Sequence, residues 1–383
     1  MTVEPLFASF FAGGFECSTH RRLDGRRLDV IAATGHDVRA LEDYRLLAGL
    51  GLRTVRDGFR WHLIERAPNV YDWGSVLGQV RAARRLGTQV IWDLMHYGWP
   101  DGLELEDPAF VDRFAAFAGA AARFLREEGE DAPVFCPINE ISFFSWAAGE
   151  FGIFAPYRLG QGGEIKAHLV RAAVAAMDAI RRVSPRARFL HVDPVIRVLP
   201  DPDRPDTIGL AAAVQNAQFE AWDMISGRLR PELGGRPDLL DVVGVNYYCH
   251  NQWVLDGPPV PWNANDPRFV GLREMIADVA TRYGRPVFLA ETGIEDEARP
   301  AWLAHVCEEV RAAQAAGHRV EGVCLYPVLN HPGWDDDGHC RNGLIDYDPA
   351  TLNRRLEEPL AEEVLRQHEL FGLPRPDRRA RAA

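Results

Sequence analysis

Lysine is almost missing from this chain: of its 43 basic side chains only Lys166 is a lysine, and the arginines are scattered rather than gathered into a stripe. Against 55 acidic residues they leave a formal net charge of -12. The electrostatic footprint of a nucleic-acid binder is therefore lacking, and nucleic acid is not an expected partner. The one basic cluster, Arg375, Arg378, Arg379 and Arg381, sits at the chain end and reads as a solvated tail over residues 372–383. No run approaches the roughly 18 apolar residues that a membrane span needs. The short apolar stretch from Leu6 to Gly14 has no basic flank, so it reads as a first strand rather than a leader. No membrane partner is expected, and the expected location is cytoplasmic. Six cysteines, Cys17, Cys136, Cys249, Cys307, Cys324 and Cys340, are far apart with no C-x-x-C pair. Buried free thiols follow, with no disulfide framework and no structural zinc. There is no G-x-G-x-x-G after the first strand and no H-x-H pair on it, so neither a dinucleotide nor a metal-dependent barrel hydrolase is indicated. No cofactor and no metal is expected.

What is present is an alternation that runs the length of the 383 residues. Short runs rich in β-branched and aromatic residues are read as strands over Phe10 to Glu16, Thr54 to Phe59, Gln89 to Met95, Val134 to Asn139, Arg188 to Asp193, Val242 to Tyr247, Val287 to Glu291 and Gly322 to Tyr326. Between them lie stretches with apolar residues three and four apart, read as helices over Val38 to Gly49, Ser75 to Leu86, Pro108 to Glu128, Ile165 to Val183, Ile208 to Leu229, Phe269 to Tyr283 and Ala301 to Ala316, with Leu352 to Leu370 closing the chain. Gly51, Gly87, Gly129, Gly284 and Gly317 each follow a helical run, as left-handed caps do. Eight β/α units in one uninterrupted series predict a closed (β/α)8 TIM barrel forming one domain over residues 1–371. The proline-rich stretches Leu199 to Pro205 and Gly257 to Pro261 read as long loops after strands, because regular elements resume beyond each.

Catalytic groups of such a barrel stand at the C-terminal ends of its strands. Read off there, the chain delivers Glu16 and His20, Arg56 and Trp61, His96 and Trp99, Asn139 and Glu140, Asp193, Asn246 with Tyr247 and Tyr248, Glu291, and finally Tyr326, Asn330 and Trp334. Glu140 and Glu291 end otherwise apolar strands, where a carboxylate is costly unless paired or used. Each alone could serve as a rim salt bridge to an arginine. Two together, with Arg56, a tyrosine and aromatics at hand, are what glycoside hydrolysis needs: a proton donor to the leaving oxygen and a nucleophile or base beneath an oxocarbenium-like transition state. Trp99, Trp146, Trp262 and Trp334 fall in predicted loops, and only Trp334 carries weight as a sugar platform.

These residues resemble a known group, the retaining β-glycosidases of glycoside hydrolase clan A, and among them family 1, the β-glucosidase and β-galactosidase group. Val55 to Trp61 resembles Y-R-F-S-x-x-W, Pro68 to Trp73 resembles P-x-x-Y-D-W, and Leu94 to Pro100 resembles L-x-H-W-D-L-P. Ile138-Asn139-Glu140 resembles the N-E-P acid/base signature with Ile141 for proline, and Gly244 to Tyr248 is similar to G-x-N-Y-Y. Ala290-Glu291-Thr292-Gly293 is similar to T-E-N-G, and Arg341 to Tyr347 to R-F-G-L-x-x-V-D. The resemblance implies Glu140 as acid/base, Glu291 as nucleophile, Asn139 on the sugar 2-hydroxyl, Arg56 and Tyr248 on the nucleophile and His96 on the 3-hydroxyl, with Asn246 in support. It also exposes departures. Tyr326 stands where the family has a stacking tryptophan, and Gly333 where it has a glutamate that reads outer hydroxyls. The first strand lacks an aligned glutamine, leaving Glu16 or His20 as substitutes.

The reading that follows is hydrolysis of a small β-linked glycoside by double displacement, with the two carboxyls about 5 to 5.5 Å apart. Arg56 is expected to lower the pKa of Glu291, and a neighbouring anion to raise that of Glu140. A weakly catalytic sugar-binding barrel and a transglycosidase using the same intermediate stand as alternatives. The aromatic loop from Phe143 to Phe154 reads equally as a hydrophobic aglycone site and as packing against the barrel.

Overall fold

Each of the eight apolar runs becomes a strand of a closed parallel barrel, because each is covered on both faces, by side chains inside and helices outside. The computed structural model describes residues 5–376. Of the basic tail, Arg375 lies within that range and exposed, while Arg378, Arg379 and Arg381 lie outside the described residues. The strands are β1 (Phe11–Gly14), β2 (Thr54–Gly58), β3 (Gln89–Asp93), β4 (Val134–Cys136), β5 (Arg188–Pro194), β6 (Val242–Asn246), β7 (Val287–Thr292) and β8 (Val320–Leu325). Each pairs with its neighbour in chain order, and β8 closes on β1 with Val323 opposite Phe11. The interior is filled by Ala12, Ile91, Val134, Leu190, Val242, Phe288 and Ala290, and Phe7 packs on Phe288 with ring centroids 4.6 Å apart. A filled lower barrel leaves only the upper ends of the strands open to polar chemistry.

The main helices are α1 (His36–Gly49), α2 (Gly74–Leu86), α3 (Pro108–Glu127), α4 (Gly162–Val183), α5 (Ile208–Ala217), α6 (Glu220–Ile225), α7 (Leu272–Tyr283), α8 (Arg299–Ala315) and α9 (Glu358–Leu370). Local chemistry sets their ends. The Asp107 carboxylate accepts from Ala109 N at 2.8 Å ahead of Pro108 in the first turn of α3, and Gly284 ends α7 at φ 61°. Among the described residues no helix is long and apolar enough to cross a membrane.

Two predicted helices are corrected. The stretch from Ile208 to Leu229 is two helices, broken where Gln218 turns its side chain to accept from Ile196 N at 2.9 Å. The start of the last helix is instead a strand: Arg354–Leu356 pairs antiparallel with Ile345–Tyr347. Pro359 falls in the first turn of α9, which starts at Glu358, where its missing N–H would have had no partner within the helix. The two proline-rich loops follow short strands, Arg197–Leu199 and Gln252–Val254, which pair with one another and tie the loops above β5 and β6 together.

Several motif residues prove to be scaffold. Trp61 stacks on Phe117 of α3 with centroids 5.2 Å apart, and Trp73 stacks on Phe124 at 4.7 Å, so these tryptophans dock the second loop on α3. Gly343 lies so close to Leu329 and Asn330 that a Cβ would come within 2.5 Å of the Asn330 amide nitrogen.

Below the site, His36 is buried between Asp43 at 2.7 Å and Asp57 at 2.8 Å. Tyr44 and Gln79 also donate to Asp57, and Arg354 reaches across from the C-terminal hairpin to hold Asp43 at 2.6 and 3.0 Å. Burial alone would depress the His36 pKa, but the two carboxylates raise it to about 9. A folded pKa above the unfolded one contributes stability that is complete below about pH 6.5 and disappears as the pH rises through 9. The span corresponds to roughly 3 kcal/mol. The loss of stability on His36→Gln, measured by chemical denaturation, should accordingly be largest near pH 6 and shrink steadily towards pH 9.5.

Candidate active site

Arg56 leaves β2 pointing into the barrel, fully buried, and side chains from three other strand ends converge on it. Its Nε and Nη2 donate to the two oxygens of Asp93 on β3 at 2.9 and 2.7 Å, and Nη1 donates to Glu291 Oε1 on β7 at 2.6 Å. Nη2 also donates to the amide oxygen of Asn139 beyond β4. The second oxygen of Glu291 accepts from the Tyr248 hydroxyl at 2.8 Å. A guanidinium is suited to this task because its donors are fixed in a planar fork and it keeps its charge when buried.

Glu140 stands beside this cluster with a different set of neighbours. Its Oε1 accepts from Asn246 Nδ2 at 2.7 Å and its Oε2 accepts from the Tyr97 hydroxyl. Asn246 is also the β6 partner of Glu291 in the barrel register, so one residue sits between the two carboxyls. Glu140 has φ 45° and Tyr97 φ 62°, a left-handed backbone that non-glycine residues adopt at some cost and that clusters where function demands it.

The two carboxyls are driven apart electrostatically. Burial first, and then the negative charge of Glu291, push the Glu140 pKa up to about 8. For Glu291 the expected lowering by Arg56 does not prevail. Burial raises it more than Arg56 lowers it, since the guanidinium divides its charge between Glu291 and Asp93. Of the pair, Glu291 is the one with a cation in contact, so it ionises first and Glu140 holds the proton.

Glu16, at the end of the first strand run, is buried 4.0 Å from His96 and accepts both the backbone N–H of Ser18 at 3.0 Å and its hydroxyl. Burial alone would raise it, but the charge that His96 and His331 carry when protonated, together with the Ser18 donors, holds it below the usual carboxylate range. Tyr326 lies under the guanidinium of Arg56, 5.2 Å from its ring centroid, with its hydroxyl unpartnered. Trp334 packs edge-on against His20 at 4.8 Å and Tyr97 at 5.6 Å, beside the same cluster. Of the residues read off the strand ends, Glu16, Arg56, His96, Asn139, Glu140, Asn246, Tyr248, Glu291, Tyr326 and Trp334 thus belong to one connected cluster, whereas Asn330 is held by Asp346 and Tyr247 by Gln252. Trp99 instead donates to Leu103 O at 2.6 Å, and Trp262 packs on Trp302, so both are loop packing. The aromatic loop divides: Phe144 and Phe154 are buried, whereas Trp146 and Phe151 are 49% and 56% exposed.

Three contributors were not picked out beforehand. Asp93 is the main counter-ion of Arg56, and an aspartate closing Gln-Val-Ile-Trp-Asp was the available signal. Tyr97 contacts Glu140, and no sequence pattern announces the backbone twist that turns it there. Cys17 lies 3.2 Å from His96 Nδ1, so Cys17, Asp93 and His96 bring three ligand-type atoms within 4.8 Å of one another. Asp93 is already committed to Arg56, and burial together with Asp93 holds the Cys17 thiol well above its ordinary range, so this donor set suits a hydrogen-bonded chain better than a cation.

No protein-family model matches the chain, and no curated protein matches it in sequence. Solved structures do match in shape. The crystal structure of β-glycosidase BGL167 superposes with a TM-score of 0.72 at 22% identity, covering 89% of this chain and 88% of that one. A β-glucosidase from Thermotoga maritima in complex with glucoimidazole superposes with a TM-score of 0.75 at 15% identity over 94% and 98%. A hyperthermophilic β-glucosidase mutant gives 0.76 at 16% identity over 94% and 100%. The chain therefore has the barrel fold that these β-glycosidases share.

Proposed function

We propose that the protein is a retaining β-glycoside hydrolase acting on a small β-linked glycoside. The observation that carries this reading is the contrast between two buried carboxyls at the ends of β4 and β7: Glu291 on Arg56 and Tyr248, and Glu140 on neutral donors with its pKa at about 8. Such a pair supplies a nucleophile and an acid at the same pH. The β-glucosidase identity of the structures of similar shape points the same way.

In the first step an oxygen of ionised Glu291 attacks the anomeric carbon while the bond to the leaving oxygen breaks and that oxygen takes the Glu140 proton. In the second, Glu140, now a carboxylate, takes a proton from water, whose oxygen attacks the same carbon and releases Glu291. Asn139 and His96 bind the 2- and 3-hydroxyls, as the resemblance implies, the sugar replacing the hydrogen bond that joins them in its absence while the Asn139 bond to Tyr97 stays. Glu16 accepts from a further hydroxyl, supplying on the first strand the carboxylate that is missing at Gly333. Trp334 supplies an apolar wall for the sugar. No cofactor and no metal enters either step. The domain that does this work spans residues 1–371, with 372–383 as a basic tail.

Incubation with activated 2-deoxy-2-fluoro β-glycosides, read by intact-protein mass, tests the central claim. One sugar adduct mapping to Glu291 in the wild type and absent from Glu291→Gln is expected. Binding of free sugars without any adduct would favour the sugar-binding barrel instead. Added acceptor alcohol in the turnover reaction separates hydrolysis from transglycosylation by its products.

The pH dependence of kcat/KM should be bell-shaped, rising as Glu291 ionises and falling as Glu140 loses its proton near pH 8. An activity that stays level from pH 7 to 9.5 would remove Glu140 from the acid role. Glu16→Ala should lower kcat/KM by about ten- to a hundredfold, the worth of a hydrogen bond to a charged group.

A further inference from the structure

Tyr97 touches Glu140, yet no step above uses it. Its environment fixes the direction of every hydrogen bond around it. Arg56 can only donate, so the amide oxygen of Asn139 must face the guanidinium. Both Asn139 N–H groups then point the other way, one to His96 Nε2 at 2.9 Å and one to the Tyr97 oxygen at 2.8 Å. In its neutral form His96 keeps its own proton on Nδ1, facing Asp93 at 2.9 Å. The Tyr97 oxygen is thus an acceptor from Asn139, and its single proton is left for Glu140 Oε2. The phenol cannot turn away, because its ring is held at edge or tilted angles by His96, Phe144, Phe154 and Trp334, with centroids 4.7 to 5.6 Å away.

The backbone is built for the same end. Tyr97 is left-handed at φ 62°, and the following Gly98 lies against the first loop so closely that a Cβ would sit 2.4 Å from the Thr19 carbonyl oxygen. Only glycine fits there, and the turn that results is what brings the phenol beneath Glu140.

We propose that Tyr97 is a positioning residue for the acid/base: by donating to Oε2 it keeps that oxygen an acceptor and confines the transferable proton of Glu140 to Oε1. The inference rests on the reading of Glu140 as acid/base. Asn246 completes the arrangement. Its Nδ2 serves Oε1 when Glu140 is charged, and its otherwise unpartnered Oδ1 serves the Oε1 proton when Glu140 is neutral, the amide having turned over. Between the two steps of the reaction the proton therefore leaves and returns to one defined oxygen.

The test compares wild type, Tyr97→Phe and Glu140→Gln on two aryl β-glycosides. One carries a dinitrophenyl leaving group, which departs without a proton, and the other a phenyl group, which needs one. Tyr97→Phe should lower kcat/KM on the phenyl substrate by at least about tenfold, part of the roughly hundred- to ten-thousandfold that general acid catalysis supplies, and change the dinitrophenyl value little. The loss of a donor to the anion raises the Glu140 pKa, so the basic limb of the pH profile should move up by about one unit. Replacing Tyr97 by 3-fluorotyrosine keeps the shape and strengthens the donor, so it should move the limb down, and it serves equally if Tyr97→Phe folds poorly. Equal losses on both substrates with an unmoved limb, or no effect of either replacement, would overturn the proposal. If Glu140→Gln shows the leaving-group-selective loss and the Tyr97 variants do not, the positioning role alone falls. If Glu140→Gln lacks it as well, the acid/base reading falls with it.

Discussion

Everything at the top of this barrel is arranged around one buried guanidinium. Arg56 has no access to water, so each of its donors must end on a protein acceptor, and the cost of burying its charge has to be offset by anions in contact. Asp93 and Glu291 provide those anions from opposite sides, and Asn139 takes a further donor. Because the fork is planar and rigid, it fixes the relative positions of the ends of β2, β3, β4 and β7 more tightly than strand pairing alone would. The same contacts decide the orientation of the Asn139 amide, which in turn sets the proton positions on His96 and Tyr97.

That dependence explains how two glutamates in the same barrel come to differ. Both are buried, and burial raises both. What separates them is the company each keeps: a shared cation and a phenol for Glu291, an amide and a phenol for Glu140. The environment assigns the roles, since the side chains are chemically identical.

The barrel itself was legible in the sequence because parallel strands buried on both faces appear as unbroken apolar runs, and all eight were found within a few residues of their true ends. The two buried glutamates, Glu140 and Glu291, were legible for a related reason, a charge closing an apolar run. The errors have physical origins too. From Ile208 to Leu229 the helical periodicity continues across Gln218, and the break depends on a hydrogen bond to Ile196, distant in sequence. The strand Arg354–Leu356 forms because Arg354 is drawn to Asp43 at the far end of the chain. Tyr97 was hidden for a subtler reason: its residue type is ordinary, and its importance comes from a positive φ and from a glycine that must pass the Thr19 backbone.

The departures from the family 1 motifs form a connected set when seen in space. Tyr326 fits beneath Arg56 because Gly14 on β1 leaves its ring room, a Cβ there falling 2.1 Å from it. Glu16 follows two residues later on the same run and lies beside His96. A smaller ring on the eighth strand, a glycine opposite it on the first and a carboxylate just beyond are therefore one adjustment, which under the proposed function moves recognition of the sugar from the last strand to the first. Tyr97 extends that adjustment to the third strand, where a phenol that reaches Glu140 stands in place of the family's tryptophan. The carboxyl pair stands at the ends of β4 and β7, while the residues that depart from the family motifs lie on β8, β1 and the end of β3, joined through Arg56 of the intervening β2 and through His96.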